Sequence, residues 1–361
     1  MINKRGQLTM FVIVAVIIVV IIGIYFLVRG QFGISGIPTE LLPVFNYYGA
    51  CIEQETRTAI DLAGTQGGYI EISESDYAPG SEYAPFSSQL NFLGFPVPYW
   101  YYIAGNGLVK EQVPSKIDIE KDIADYVETK LNDCNFDSFY AQGFNINFNK
   151  PEVRVKIGNN KVDVDVISNL VVSKGEESAN KKDFSISVNS KIGKFYDLAI
   201  KIYNKEKKDA FFDNFAADVL RLYTPIDGGE ISCSGKIWKT GDVINDLKSG
   251  LEANIAAIKF KGSYYGLNDK NEKYYVVDLG DSIDENINLI YARNMPTKIE
   301  IAGENVDDQL MIASPVGLQE GLGILGFCYS PYHFVYDFSF PILVQIYNNE
   351  EIFQFPLVAI V

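Results

Sequence analysis

The chain has 361 residues, 47% of them hydrophobic and 21% charged, with 46 acidic against 31 basic side chains and a formal net charge of −15. That balance excludes a disordered polymer and leaves ample apolar material for a core, and the abundance of Tyr and Phe, 23 of each, points to a strand-rich fold. The acidity excludes nucleic acid as a partner, because a negative surface repels phosphate.

The first element is Leu8 to Val28, an uncharged apolar run of 21 residues. At 1.5 Å per residue it is about 31 Å long, enough for the hydrocarbon layer of a bilayer. It is longer than the apolar region of a cleaved signal peptide, and no small-x-small cleavage site follows it, so the expectation is an uncleaved signal anchor. Lys4 and Arg5 precede it, and after Arg29 no basic residue occurs until Arg57. The positive-inside rule then puts the N-terminus in the cytoplasm and the rest of the chain outside the cell. The lipid bilayer is the first expected partner.

A glycine-rich hinge at Gly30, Gly33 and Gly36 leads to apolar residues spaced by three and four over 43–63, which predict an amphipathic helix stopped by Gly64 and Gly67-Gly68. Tyr69 to Ile72 reads as a short strand. Residues 73–98 read as a long loop containing the echo Tyr77-Ala78-Pro79 and Tyr83-Ala84-Pro85. Ser115 caps a second helix, Ile117 to Cys134. From 143 the period falls to two: Phe144–Phe148, then a hairpin of Val153–Ile157 and Val162–Val166 across Gly158-Asn159-Asn160, then Phe184–Val188. One or two helices over Phe195–Tyr223 and another over Val243–Ile258 flank a strand at Cys233. Tyr274–Asp278, Ile287–Tyr291, Lys298–Ile301, Phe334–Tyr347 and Ile352–Val361 complete the strands. Helices and strands are grouped rather than alternating, so the expected class is an α+β ectodomain of antiparallel strands and amphipathic helices behind one transmembrane helix. Its parts are 1–29, tail and membrane helix; 30–139, a helical pair with a long aromatic loop; and 140–361, an α+β domain.

Cys51, Cys134, Cys233 and Cys328 are too far apart in sequence for a zinc knuckle or a Cys-x-x-Cys motif. An even count in an exported domain argues for disulfides, with three pairings open. Cys51 and Cys134 both sit on apolar helical stripes that can pack together, which favours Cys51 with Cys134 and leaves Cys233 with Cys328.

Little in the chain points to chemistry. His333 is the single histidine, with no partner to orient it, which removes most nucleophile-base and histidine-metal arrangements. Acidic residues cluster at Asp278, Asp281, Asp284 and Glu285 and again at Glu304, Asp307 and Asp308, as a carboxylate hydrolase would need, but also as solvated loops of an acidic protein would. Neither 268–272 nor 303–308 has the ligand spacing of a calcium loop; a weak surface calcium site is the one cation site left open, and no cofactor is expected. Tyr99-Trp100-Tyr101-Tyr102 has two readings: packing in the core, or an interaction surface stacking on sugars or sitting at lipid headgroups. No Asn-x-Ser/Thr acceptor for N-glycosylation occurs.

Two resemblances bear on identity. Lys4 to Phe11 before an Ile/Val-rich helix, with Cys51-Ile52-Glu53, Gln66 to Ile70, Tyr99 to Tyr102, Cys134, Cys233 with Trp238, Tyr336-Asp337, Pro341 to Val344 and Phe353 to Leu357, resembles an uncharacterised membrane-anchored family of small-genome archaea of the nanoarchaeal and woesearchaeal kind. That resemblance implies topology and no activity. Gly6-Gln7 after basic residues also resembles an archaeal class III, pilin-like signal peptide, in which cleavage falls between those two residues, although Phe11 stands where that family carries Glu. The expected function is a non-enzymatic surface protein that contacts an envelope or partner-cell protein or glycan. The alternatives are a pilin-like filament subunit and an exported carboxylate-dependent hydrolase.

Overall fold

The computed structural model describes residues 36–72, 85–262, 272–280, 283–317 and 328–361. The expected membrane helix and the Tyr-Ala-Pro echo up to Ala84 lie outside them. Among the described residues no helix is long and apolar enough to cross a membrane.

The first helix, α1 (Leu42–Thr65), ends where Gly67 and Gly68 take φ of +68° and +98°. A side chain on Gly68 would run into Pro114, which is why glycine stands there. Tyr69 to Ile72, which follows this glycine turn, forms no strand; the Tyr69 hydroxyl donates to the Gln112 carbonyl. Part of the expected long loop is a hairpin, β1 (Gln89–Phe92) and β2 (Phe95–Pro98), turned at Leu93-Gly94 with the Gly94 amide donating to Asn91 Oδ1. A second hairpin follows, β3 (Tyr101–Ile103) and β4 (Val109–Glu111). Helix α2 (Lys116–Lys130) opens with a Ser115–Asp118 capping box and ends in a 3-10 turn, Leu131–Asp133.

After the short α3 (Asp137–Ala141) come β5 (Asn145–Asn147), β6 (Glu152–Ile157), the long β7 (Lys161–Lys174) and β8 (Glu177–Asn189), with β7 pairing all three others. Helices α4 (Ile192–Asp209) and α5 (Phe211–Tyr223) are separated by Ala210 alone. Beyond them lie β9 (Asp227–Glu230), β10 (Lys236–Lys239), α6 (Thr240–Ile255) and β11 (Lys259–Phe260). Cys233 itself falls between strands. Tyr274 and Tyr275, expected in a strand, belong to a helical turn, α7 (Glu272–Tyr275), before the two-residue β12 (Val276–Val277), which pairs parallel to β11. The chain continues through β13 (Asn286–Ile290), β14 (Lys298–Ala302), β15 (Leu310–Ala313), β16 (Ser330–His333), β17 (Val335–Tyr347) and β18 (Ile352–Ile360). The fold is mixed α+β with mainly antiparallel sheets.

Two compact units share the chain. The smaller holds the described part of Met1–Cys51 with Asp133–Glu152 and Ile167–Phe184; the larger holds Ile52–Asn132, Val153–Val166 and Ser185–Val361. In the smaller unit fully buried Tyr48 meets Phe136, Phe148 and Phe184, and the Cys51–Cys134 disulfide closes beside this aromatic cluster. In the larger unit β17 and β18 pair over their whole length, from Ser339 opposite Ile360 to Tyr347 opposite Ile352, and β13 and β14 add to the far edge of β17. Helix α4 contributes Phe195, Tyr196, Ala199 and Ile202 to the core. Gly193 lets its first turn reach the Gly158 carbonyl, where any Cβ would collide. The second disulfide, Cys233–Cys328, lies in this unit.

Candidate functional site

Both disulfides take the expected pairing, with Cα separations of 6.4 Å for Cys51–Cys134 and 4.8 Å for Cys233–Cys328. The aromatic run resolves into two halves. Tyr99 and Trp100 are fully buried, which corrects the interaction-surface reading for them: Trp100 stacks on Phe355 at 4.1 Å and its indole N–H donates to the Gly67 carbonyl at 2.9 Å. Tyr101 and Tyr102 are half-buried.

The acidic clusters do structural work. Asp278 pairs with Lys261, and Lys194 joins Glu285 at 2.7 Å and Asp284 at 3.8 Å; Asp281 lies outside the described residues. Asp307 accepts the amides of Gln309 and Leu310, fixing a turn. His333 sits in the open, 3.7 Å from the equally exposed Asp227. Among the described residues no group of three or more His, Cys, Asp or Glu is placed to hold a metal ion.

The carboxylates that do converge are others. Helix α4 breaks at Ala210, which adopts left-handed φ and ψ of 48° and 46°, an unfavourable conformation for a residue with a Cβ. The break turns the N-terminus of α5 back toward the last turn of α4, and there the Phe212 amide donates to Glu206 Oε2 at 2.9 Å. From the first turn of α5, Asp213 accepts the Ile360 amide of β18 at 2.9 Å. On the neighbouring hairpin Tyr101 stands opposite Glu111, and Lys207 donates to both Glu111 oxygens at 2.7 and 2.9 Å. These groups line one cavity of about 330 Å³, with Val109, Phe212 and Leu357 as apolar wall.

Electrostatically the cavity is divided. Lys207 holds Glu111 below the usual carboxylate range. Burial pushes Glu206 up to about 7; the Phe212 amide opposes that rise and the nearby Asp213 charge adds to it. Burial also raises Asp213, against the pull of the Ile360 amide. The Tyr203 hydroxyl, on a side chain only 6% exposed, is turned toward Glu111 without completing a hydrogen bond of normal geometry, and burial raises its pKa as well. Sequence reasoning missed this group because Glu111, Glu206 and Asp213 join only through tertiary structure. The available signal was the helical stretch over Phe195–Tyr223, read as one or two helices, whose break puts Glu206 and Asp213 on the same cavity.

No protein-family model matches the chain, and no curated protein or solved structure is significantly similar to it.

Proposed function

We infer that this is an exported surface protein, tethered by Leu8 to Val28, whose α+β ectodomain works through contact with an envelope or partner-cell protein or glycan rather than through catalysis. One observation carries the reading: each compact unit contains a disulfide joining cysteines 83 and 95 residues apart, and such bonds persist in oxidising compartments outside the cytosol. The basic residues before the apolar run give the matching orientation. Fractionation with N-terminal sequencing tests it. Full-length chain in the membrane fraction, with its ectodomain removed by protease added to intact cells, is the expected result. Sheared filaments containing a chain that begins at Gln7 would establish the pilin-like alternative instead.

A second reading, an exported carboxylate-dependent hydrolase, is favoured by Glu206 and Asp213 sharing one cavity, with Glu206 raised toward the range of a general acid. It requires turnover of a nitrophenyl glycoside or ester between pH 5 and 8 that E206Q abolishes. Equal background rates in the two proteins retire it.

A further inference from the structure

The cavity at the α4–α5 break carries charge that no side chain around it balances. Glu111 has Lys207, but Glu206 and Asp213 meet only backbone amides, and no cationic side chain among the described residues pairs with either. Burial makes both carboxyls hold their protons more tightly, and for Glu206 the nearby Asp213 charge adds to that effect. The Tyr203 hydroxyl is the independent sign of a missing ligand. It belongs to a side chain more than nine-tenths buried, on the cavity wall, where a hydroxyl without a well-formed partner is costly to keep. The same cavity has apolar lining from Val109, Phe212 and Leu357.

We propose that this cavity binds a small organic cation, a primary ammonium group on an apolar body, with the nitrogen between Glu206, Asp213 and the Tyr203 hydroxyl and the body against Val109 and Leu357. The volume, about 330 Å³, lies at the small end of the range for ligand pockets. A bare metal ion fits poorly because the apolar wall supplies no oxygens, and a neutral sugar leaves the two carboxylates facing each other uncompensated. Tyr101 adds an aromatic face to the same cavity, suited to a cation. A bound ammonium group supplies the positive charge that opposes the effect of burial and of Asp213 on Glu206, so binding near pH 7 drives off the proton that this carboxyl retains. Neither reading of overall function is needed for this inference.

The test uses the full chain in detergent and calorimetry with phenethylammonium chloride, run in two buffers of different ionisation enthalpy. The expected result is saturable binding with proton release at pH 7, weakened at least tenfold in D213N and lost in E206Q/D213N. Both replacements keep an acceptor for the backbone amides, and intact disulfides with an unchanged circular dichroism spectrum confirm the fold. 2-Phenylethanol, the neutral counterpart, is expected not to bind. A capped lysine that competes with the amine assigns the cation to a peptide side chain; failure to compete assigns it to a free amine. Equal binding of 2-phenylethanol, binding of methyl glucoside in place of the amine, or no saturable binding to the folded protein each overturns the proposal.

Discussion

Every residue of β17 from Phe338 to Val344 is buried, whereas all four residues of β9 are exposed, although both strands belong to the larger unit. The β17–β18 region is a long hairpin covered on both faces, with Trp100 and α4 in its core. The region around β9, β10, β15 and β16 consists of four-residue strands paired two by two, with Ile231 and Ile237 left 83% and 59% exposed. Isolated two-stranded pairs are marginal in water, and here the Cys233–Cys328 bond ties them together. Burial holds the first region, and in the second a covalent link reinforces a much smaller core around Met311 and Phe334.

The largest effect is expected from breaking that link. Its cysteines are 95 residues apart, and chain entropy alone assigns such a closure about 4 to 5 kcal/mol. C233S/C328S should therefore become protease-sensitive within 225–239 and 328–334 at temperatures where the β17–β18 hairpin still protects its amides from exchange. Simultaneous loss of protection in both regions would erase the distinction between them. Trp100→Ala attacks the other side of the comparison. It removes a fully buried indole and orphans the Gly67 carbonyl, so a loss of about 3 to 5 kcal/mol is expected, seen as a lower melting temperature for the whole of the larger unit. Gly193→Ala should cost about 1 to 3 kcal/mol in thermal denaturation, because the new methyl meets the Gly158 carbonyl and α4 has to shift.

The smallest effect concerns pH. Glu206 is raised from an ordinary value near 4.5 to about 7 by burial, so between those values the folded protein keeps a proton that the unfolded chain has released. Stability should fall as pH rises through that window and level off above it, and Asp213, raised for the same reason, acts with the same sign. E206Q is expected to flatten the slope in urea titrations and to be the more stable protein at pH 8, by about 1 to 3 kcal/mol. A steeper slope in the variant would show that the carboxylate is stabilised by its helix N-terminus more than burial opposes it.

What the sequence revealed follows from how local each signal is. The helix that became α1, the α2 cap at Ser115, the Gly158–Asn160 turn and the strands near the end of the chain are written in periodicity and turn chemistry, which act over a few residues. The cysteine pairing was legible because Cys51 and Cys134 both sit on apolar helical stripes that can pack together. The β1–β2 hairpin was hidden by the prolines around it, and Tyr69 to Ile72 misled because alternation cannot reveal whether a neighbouring strand is present to pair. The cavity was least legible of all. Glu111 and Glu206 stand 95 positions apart, and only an alanine in a left-handed conformation, invisible to propensity, sets Glu206 and Asp213 facing the same space.

The chain's two tryptophans fall on opposite sides of the comparison. Trp100 is sealed and stacked against Phe355; Trp238 is half-buried at the edge of Tyr332 and Phe334, beneath the Lys236 ammonium. The molecule thus carries two optical reporters, one blue-shifted and closed to acrylamide, the other redder and open to quenching. A single emission spectrum recorded during unfolding separates the region held by burial from the one held by sulfur, without any label.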